Sequence, residues 1–257
     1  MLRTVFFLFI FFLVFGGKSY SQFGFTHEIG VLVGPSSFFT DYGERWNLKN
    51  NINNSGLGVG IVHYINFAFD SDCNYRVQNS YFNKHFRVRS EFDYLRSNLE
   101  HHGPVASQNT VGGQLLRAMH GFSETYEMGM HLEYHPVNIR DFANFGYLFS
   151  PYVSLGAHLV HFRPRAYSDL GPLDDPANVF PTFEGGIELE PKNTFAVIGS
   201  MGVRYKIHRT GDFLIEGKWH YYNSDWIDGL NIDAPQNKAN DWVFWVGMGY
   251  VQQLNFN

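Results

Sequence analysis

Long segments of this sequence alternate apolar and polar side chains with a period of two residues. Between positions 147 and 159, one face carries Tyr147, Phe149, Pro151, Val153, Leu155, Ala157 and Leu159. The opposite face carries Leu148, Ser150, Tyr152, Ser154, Gly156 and His158. Two later segments, 194–206 and 213–221, repeat the pattern and place charged residues on the second face. Period two is typical of β-strands, and a charged second face requires an apolar environment on one side only. An outer-membrane β-barrel meets this requirement more directly than a soluble sandwich does.

The composition narrows the class of protein further. Aromatic residues make up 18% of the chain and charged residues 17%, while the mean hydropathy is −0.22. Alternating strands average to near neutrality in this way, and a helical membrane protein does not. The net charge is −5 and no basic run occurs, so we expect no nucleic-acid partner. The single cysteine, Cys73, excludes both an intramolecular disulfide and a Cys/His zinc framework.

The first 21 residues have the features of a signal peptide. Arg3 gives a positive start, and the segment 4–15 is nearly unbroken Phe, Leu, Val and Ile. Small residues at Ser19 and Ser21 predict cleavage before Gln22. The apolar run is too short for a transmembrane helix, which needs about 20 residues. We therefore expect residues 1–21 to direct export and residues 22–257 to form the mature protein.

We predict eight strands in the mature chain. Their ranges are 26–35, 56–68, 85–98, 121–135, 147–162, 194–207, 212–223 and 241–253. Most have ten or more residues, as tilted transmembrane strands need about 9–11, whereas strands of soluble domains have about 5–6. The predicted fold is all-β: an eight-stranded antiparallel up-and-down transmembrane β-barrel with a side-chain-filled lumen, located in the cell outer membrane.

The connections between strands fit the two sides of such a barrel. With both termini in the periplasm, the outward connections are 36–55, 99–120, 163–193 and 224–240, and the periplasmic ones are 69–84, 136–146 and 208–211. Outward loops are on average longer, as expected. The connection 69–84 is long for a periplasmic turn. We interpret it either as a flexible turn or as a docking element for a periplasmic partner.

The predicted inward face carries both signs of charge in near balance. Its ion-pair network is expected to comprise Arg87, Arg89, Glu91, Asp93, Glu127, Glu133, Arg204, Lys206, Glu216 and Lys218. His131, His135 and His220 lie on the same face. Eight strands leave an interior that side chains can fill, and buried charges are tolerated when they are paired. We therefore expect a closed, ion-paired lumen and not a diffusion pore.

The predicted outward face is apolar and should contact outer-membrane lipid. Tyr and Trp near strand ends suit the two interfacial girdles of a barrel. The girdle candidates are Tyr134, Tyr147, Tyr205, Tyr221, Trp242 and Tyr250.

Three patterns have a chemical interpretation that competes with a structural one. His131-x-Glu133-x-His135 has spacing that can hold a metal, but we expect a hydrogen-bonded lumen network and no metal or other cofactor. A strand hairpin would place His63 opposite Ser90 on the lipid-facing wall, the nucleophile–base pair of a lipid hydrolase, yet no acidic orienting group is evident. Gly56-x-Gly58-x-Gly60 lacks the following helix of a phosphate loop, and we expect it to make room for Tyr64 or Trp245.

Several segments resemble one family. The chain is similar to the PorG-like barrels of Bacteroidetes in the opening strand 27–34 (HEIGVLVG) with Asp41-Tyr42-Gly43, in 149–156 (FSPYVSLG) with Phe162-x-Pro164, and in 202–207 (GVRYKI), 216–219 (EGKW) and 224–229 (SDWIDG). The likeness covers nearly the whole mature chain, and the long insertions near 69–84 and 99–119 depart from the family.

The resemblance implies a role that pattern alone does not. PorG-like proteins are outer-membrane components of the type IX secretion apparatus and are thought to tie its periplasmic ring to the membrane. In gliding bacteria that apparatus exports adhesins. We therefore expect a non-enzymatic anchor or accessory component, with lipid and periplasmic ring proteins as partners. Two alternatives stay open: a lipid-modifying enzyme using His63 and Ser90, and a binding or adhesion protein using its outward loops, above all 163–193.

Overall fold

The barrel is closed and has eight strands. The computed structural model describes residues 26–43, 45, 47–67, 80–232 and 239–254. The strands are β1 Thr26–Phe39, β2 Ser55–Asn66, β3 Phe86–Glu100, β4 Met119–Tyr134, β5 Phe149–Ser168, β6 Lys192–His208, β7 Gly211–Tyr222 and β8 Trp242–Leu254. Each strand pairs antiparallel with its neighbours in sequence, and β1 pairs with β8. The predicted fold class is confirmed.

Two predictions concern segments that lie partly or wholly outside these described residues. The signal peptide over 1–21 and most of the turn 69–84 lie outside the described residues. We name the end of the barrel with the connections after β1, β3, β5 and β7 the outer end, and the opposite end the periplasmic end.

Short helices occur at both ends. They are α1 Leu48–Asn53 and α3 Val111–Ala118 at the outer end, and α2 Tyr81–His85 and α4 Ile139–Ala143 at the periplasmic end. Single 3-10 turns cover Pro176–Asn178 and Pro181–Phe183. The side chains of Ser80, Thr110 and Asn138 each accept a backbone N–H in the first turn of a helix, which explains where these helices begin.

The first strand is longer than predicted. We expected it to end at Pro35, but it continues to Phe39. The β1–β8 ladder skips Gly34 and Pro35 and resumes at Ser36, opposite Trp245. The β1–β2 ladder continues through Pro35 opposite Leu57. Proline removes one donor from a ladder, and here the loss interrupts only the pairing with β8.

The β4–β5 hairpin extends beyond a membrane's thickness. We expected β5 to end at residue 162, but it has 20 residues and ends at Ser168, about twice the ~9–11 that a tilted strand needs to cross. In the last residue pairs of the β4–β5 ladder, Arg163 and Arg165 lie on the outward face, where both are exposed. Because charged side chains there need water, this part of the hairpin stands outside the hydrocarbon.

The lumen is filled in layers. Near the outer end it is apolar, with Trp245, Leu95 and Phe38 fully buried. A Cβ added at Gly58 or Gly60 would lie within 3.0 Å of the Trp245 indole, so these glycines make room for it. This confirms the packing interpretation of the glycine pattern. Ionised and imidazole side chains occupy the middle, and a second charged layer closes the periplasmic end.

Candidate functional site

The outward wall of the barrel is apolar and exposed. Alternate residues of every strand contribute to it, among them Ile29, Val31, Leu57, Ile61, Phe92, Met128, Met130, Leu132, Val153, Leu155, Leu159, Val197, Met201, Ile215 and Met248. The intervening residues point inward and are buried, including almost all strand charges between the two ends. An exposed belt of this size is unstable in water and is the surface that a bilayer covers.

The six girdle candidates lie at two levels. Tyr134, Tyr147, Tyr205 and Tyr250 lie near the periplasmic end, and Tyr221 and Trp242 pair with each other near the outer end. At the periplasmic level, Tyr134 packs against Phe86 with ring centroids 5.1 Å apart, and Tyr205 packs against Phe149 at 5.0 Å. Aromatic rings at two levels match the two interfaces of a membrane, and their contact with lipid stays a prediction.

The middle of the lumen contains ion pairs that cross the barrel. Arg89 of β3 donates two hydrogen bonds to Glu216 on the opposite strand β7, at 2.8 and 2.7 Å. Its Nε also donates to Glu91 Oε2 at 2.7 Å. Lys218 of β7 contacts Glu91 and lies 3.2 Å from Asp93. Such two-point pairing between opposite strands fills the cross-section of the barrel.

A second charged layer lies towards the periplasmic end. Arg204 Nη2 is 2.6 Å from Glu28 Oε2 and 3.0 Å from Asp212 Oδ2. Arg87 also donates to Glu28, at 3.0 Å, and Lys206 pairs with Asp212 at 2.8 Å. The structure thus brings Arg87, Arg204 and Lys206 together in one group and the other predicted network residues into another.

Glu28 and Asp212 were missed by the sequence analysis. Both lie on inward positions of their strands and each bridges two basic side chains. The alternation in 27–34 places Glu28 on the strand face opposite to Ile29 and Val31. This pattern is sufficient to predict that Glu28 points inward. With these two residues, the described lumen has seven carboxyl groups and five Lys or Arg side chains.

The predicted triplet His131, Glu133 and His135 does not act as one group. His135 Nε2 lies 2.7 Å from Glu133 Oε1, and its Nδ1 lies 2.8 Å from Ser150 Oγ. His131 instead meets His158 of β5, with the two Nε2 atoms 2.8 Å apart. Residues two apart on one strand share a face, but the ring of His131 turns across to the neighbouring strand.

The outer end is closed by a cluster of aspartates around one arginine. Arg45 Nη2 lies 2.9 Å from Asp41 Oδ1, 3.0 Å from Asp225 Oδ1 and 3.2 Å from Asp241 Oδ1. Asp228 accepts the backbone N–H groups of Asp41 and Leu230. These contacts join the loops after β1 and β7, which contain the two Asp-rich segments of the family resemblance. We call Asp41, Arg45, Asp225, Asp228 and Asp241 the outer cluster.

Burial changes the acidity of the outer cluster. It raises the pKa of Asp41 from 3.8 to about 8 and that of Asp228 to about 7, since the desolvated carboxylates repel one another. Burial also raises the pKa of Asp241 strongly, and the half-buried Asp225 shows a smaller rise in pKa. Arg45 opposes these shifts but is one cation among four carboxyls. The cluster therefore holds protons near neutral pH.

A cavity of about 250 Å³ opens beside the outer cluster. Its wall is mainly apolar and includes Val105, Leu116, Phe180 and Phe183. His101 lines it and stacks between Tyr42 and Phe183, with centroids 4.6 and 5.0 Å apart. Burial lowers the pKa of His101 to about 3, so the ring is neutral, and its Nε2 has no hydrogen-bond partner among the described residues.

The periplasmic end is closed by helix α4. Its Ile139 and Phe142 side chains are buried beneath the lumen, and Lys206 Nζ lies 5.3 Å from the Phe142 ring. The next turn carries Phe145, which is 44% exposed and has φ 62°, the only positive φ of a non-glycine residue in the described ranges. A bulky residue in this region is strained. Tyr147 and Leu148 beside it are also exposed.

The proposed hydrolase pair has the expected register but other contacts. His63 lies opposite Ser90 in the β2–β3 ladder, which confirms the predicted pairing of these positions. The His63 ring stacks on His27 of β1, and its Nε2 is 3.1 Å from His27 Nδ1. The imidazole that would activate Ser90 is therefore hydrogen-bonded to a residue on the other side.

A closed β-barrel with an apolar belt outside and paired charges inside defines the class: the chain is an outer-membrane β-barrel protein. None of the helices in the described ranges is long and apolar enough to cross a membrane. No protein-family model and no curated protein matches the chain.

Several solved structures with a similar backbone fold are outer-membrane β-barrels. Ail, the attachment invasion locus protein of Yersinia pestis, crystallised with the heparin analogue sucrose octasulfate, is 14% identical, with a TM-score of 0.43 over 90% of this chain and 99% of that chain. A major outer membrane protein of Thermus thermophilus is 12% identical, with a TM-score of 0.46 over 90% and 99%. Neisserial surface protein A is 14% identical, with a TM-score of 0.41 over 90% and 97%.

Proposed function

We propose that this barrel is a non-enzymatic anchor of a type IX secretion apparatus, as the PorG-like resemblance implies. In this role it fixes periplasmic ring proteins to the outer membrane. The lipid-facing wall holds the protein in the bilayer, and the periplasmic end presents the contact surface.

The filled lumen supports an anchor over a channel. Arg89 and Glu216 join opposite strands across the middle, and Trp245 and Phe142 close the lumen above and below them. Eight strands enclose only enough space for such side chains. A continuous water path for solutes would require these groups to move apart, and each buried ion pair resists separation.

The turn after α4 is the observation that carries the proposed contact surface. Phe145 combines an aromatic side chain that is 44% exposed with a strained backbone. Strain of this kind costs of order 1–3 kcal/mol and is concentrated at functional sites. Aromatic side chains are also enriched among the residues that dominate binding energy at protein interfaces. Helix α2, with Tyr81 and Phe82 exposed, lies next to α4 and enlarges the same surface.

Co-purification tests this proposal. An affinity-tagged chain is isolated from native outer membranes in mild detergent, and the bound periplasmic ring proteins are quantified. We expect Phe145→Gly to reduce the amount bound at least tenfold, while the barrel still shows heat-modifiable migration on a gel.

The matched control for this experiment is Leu170→Ala, which removes a comparably exposed apolar side chain at the outer end. It should leave binding unchanged. Wild-type barrels that bring down no ring protein, or equal binding by the Phe145→Gly variant, would contradict the anchoring role and leave the barrel fold intact.

The absence of enzymatic activity is part of the proposal. The His63 ring is paired with His27 and not with Ser90, which supports a structural role for this pair. Replacing Ser90 with Ala should leave the lipid A profile of the cells unaltered. A changed profile would favour the lipid-modifying alternative.

The cavity at the outer end favours one second candidate, a binding function of the outward loops. Phe180 and Phe183 come from the connection 163–193, and His101 offers a neutral, unpartnered Nε2 inside an apolar wall. Replacing Phe180 with Ser should then reduce binding of cells or glycans to the protein. Unchanged binding after deletion of 169–191 would remove this candidate.

A further inference from the structure

Two histidines meet in the middle of the lumen, away from the proposed contact surface. His131 of β4 and His158 of β5 have their Nε2 atoms 2.8 Å apart, and Glu91 Oε2 of β3 lies 3.5 Å from His131 Nε2. One ligand atom from each of these three residues falls within 4.8 Å of the other two. All three side chains are buried.

The second nitrogen of each imidazole lies near another polar group, although only that of His131 makes a hydrogen bond within the described chain. His131 Nδ1 lies 3.1 Å from Ser154 Oγ, and His158 Nδ1 lies 3.4 Å from Glu127 Oε2. Histidines that bind metals almost always donate their other ring N–H to a carboxylate, a backbone carbonyl or water, and Glu127 is the carboxylate placed for this role beside His158. The two Nε2 atoms form a hydrogen bond with each other, and a metal ion bound by both would take the place of the shared proton.

The sequence leaves space for the two rings to approach. In the β4–β5 ladder, His131 lies opposite Gly156 and His158 lies opposite Gly129. A Cβ at Gly156 would come within 2.5 Å of the His131 ring, and one at Gly129 would come closer still to the His158 ring. Each imidazole thus lies over a glycine of the other strand, and larger residues would push the pair apart.

The charged groups around this site, in the middle of the lumen, also favour the binding of a cation. Five carboxyl groups of the described chain meet here, on Glu91, Asp93, Glu127, Glu133 and Glu216, with two Lys or Arg side chains, Arg89 and Lys218, and with imidazoles on Glu127 and Glu133. Arg89 and Lys218 both contact Glu91, but Arg89 is also bound by Glu216 through two hydrogen bonds. A buried excess of carboxylates is costly, and a divalent cation offsets it.

We propose that Glu91, His131 and His158 bind one divalent transition-metal ion of the Zn²⁺ class inside the barrel. Two imidazoles and one carboxylate are a ligand set that such ions prefer, whereas Mg²⁺ and Ca²⁺ prefer oxygen ligands alone. The ion joins β3, β4 and β5 and supplies positive charge to the carboxylate-rich layer.

Metal analysis of the folded barrel tests this site. Because the lumen is closed, the chain is unfolded in urea with a chelator, refolded in detergent in the presence of Zn²⁺, desalted and analysed for zinc per chain. Wild-type protein should retain about one equivalent more than the double variant His131→Gln/His158→Gln. The amount of zinc bound by exposed histidines is the same in both proteins, so it does not contribute to the difference.

His135→Gln is the matched control, because His135 is a buried inward histidine of the same strand that bonds Glu133 and Ser150 instead. It should retain the wild-type amount of zinc. Equal zinc on wild type and on a folded double variant would overturn the proposal and indicate that protons balance the layer.

A measurement on wild type alone covers the case in which the double variant does not fold. Co²⁺ present while the stripped chain refolds should give the intense visible absorption of a tetrahedral His/carboxylate site, and refolding with excess Zn²⁺ as well should abolish it. The spectrum of octahedral aqueous Co²⁺ alone would overturn the site.

Discussion

The two ends of the barrel are closed in different ways. At the outer end, Arg45 forms ion pairs with the surrounding aspartates. Asp41 and Asp241 also accept backbone N–H groups of the loop after β7, so the cluster makes its polar contacts within the protein. At the periplasmic end, Phe142 closes the lumen from below, but the turn that follows leaves Phe145 exposed and strained.

This difference bears on which end offers a binding surface. The outer cluster stabilises its own loops, and a ligand at that end could still use the neighbouring cavity and exposed side chains such as Val111 and Leu170. Exposed apolar side chains occur at both ends, and the strained backbone at Phe145 is what distinguishes the periplasmic surface among the described residues.

The largest expected effect comes from removing the cation of the outer cluster. Arg45→Met leaves Asp41 and Asp241 buried without their partner, and breaking a buried pair in this way costs about 3–5 kcal/mol. We expect the outer loops to become protease-sensitive while the periplasmic turns stay protected. Arg163→Met, which removes an exposed arginine at the same end, should leave the cleavage pattern unchanged. Intact outer loops in the Arg45 variant would show that the cluster does not close this end.

Removing the plug at the other end should have a slightly smaller effect. Phe142→Ala deletes a buried ring and should lower the free energy of unfolding in urea by about 3 kcal/mol. Phe82→Ala, at an exposed position of the same end, is the comparison and should change it by less than about 0.5 kcal/mol. Similar midpoints for the two variants would mean that α4 does not seal the lumen.

The ends should also differ in their response to pH. The pKa values of Asp41 and Asp228 are about 8 and about 7 in the folded chain against an ordinary 3.8, so the folded cluster binds protons more tightly than the unfolded chain. Its stability is fully present below pH 4 and decreases as the pH rises towards 8. Hydrogen exchange at the Leu230 and Ile232 amides should accelerate over this range.

The amide of Gly146, which donates to Asp141 at the periplasmic end, is the internal reference for this exchange experiment. It should show no acceleration beyond the intrinsic chemical rate. Asp228→Asn removes one titrating carboxyl and should reduce the pH dependence at Leu230. Slower opening of the outer loops at pH 8 than at pH 5 would contradict the shifts.

The smallest effect is a gain in stability. Phe145→Gly relieves a positive φ that costs a non-glycine residue about 1 kcal/mol, so the variant should be more stable by up to that amount. Asn144→Gly is the control, because Asn144 has φ −93° and gains nothing from glycine. A Phe145→Gly variant less stable than wild type would show that the ring supports the fold, and would weaken its assignment to a partner.

The sequence determined most of the fold because one period runs through all strands. Alternation fixes which residues face inward, and an assumed β2–β3 hairpin with position 67 opposite 86 placed His63 opposite Ser90, as the structure does. It gave no sign of where β5 ends, since alternation continues at Arg163 and Arg165 after the hydrocarbon stops. Alternation also assigns a face without assigning a partner across the lumen.

The contacts across the lumen were therefore beyond sequence reasoning. The pairing of Arg89 with Glu216 depends on closure of the barrel, which sets β3 opposite β7. The meeting of His131 with His158 depends on the β4–β5 register and on two glycines. The outer cluster forms only because the loops after β1 and β7 converge once β1 and β8 pair.

Fluorescence quenching of two tryptophans tests most directly that lipid covers the wall while the lumen is closed. Trp219 points outward and is 43% exposed, whereas Trp245 points inward and is 0% exposed. In vesicles of brominated lipid, a barrel with Trp219 as its only tryptophan should be strongly quenched. One with only Trp245 should be quenched far less, and soluble iodide should reach neither. Quenching of Trp219 by iodide and not by brominated acyl chains would contradict the account.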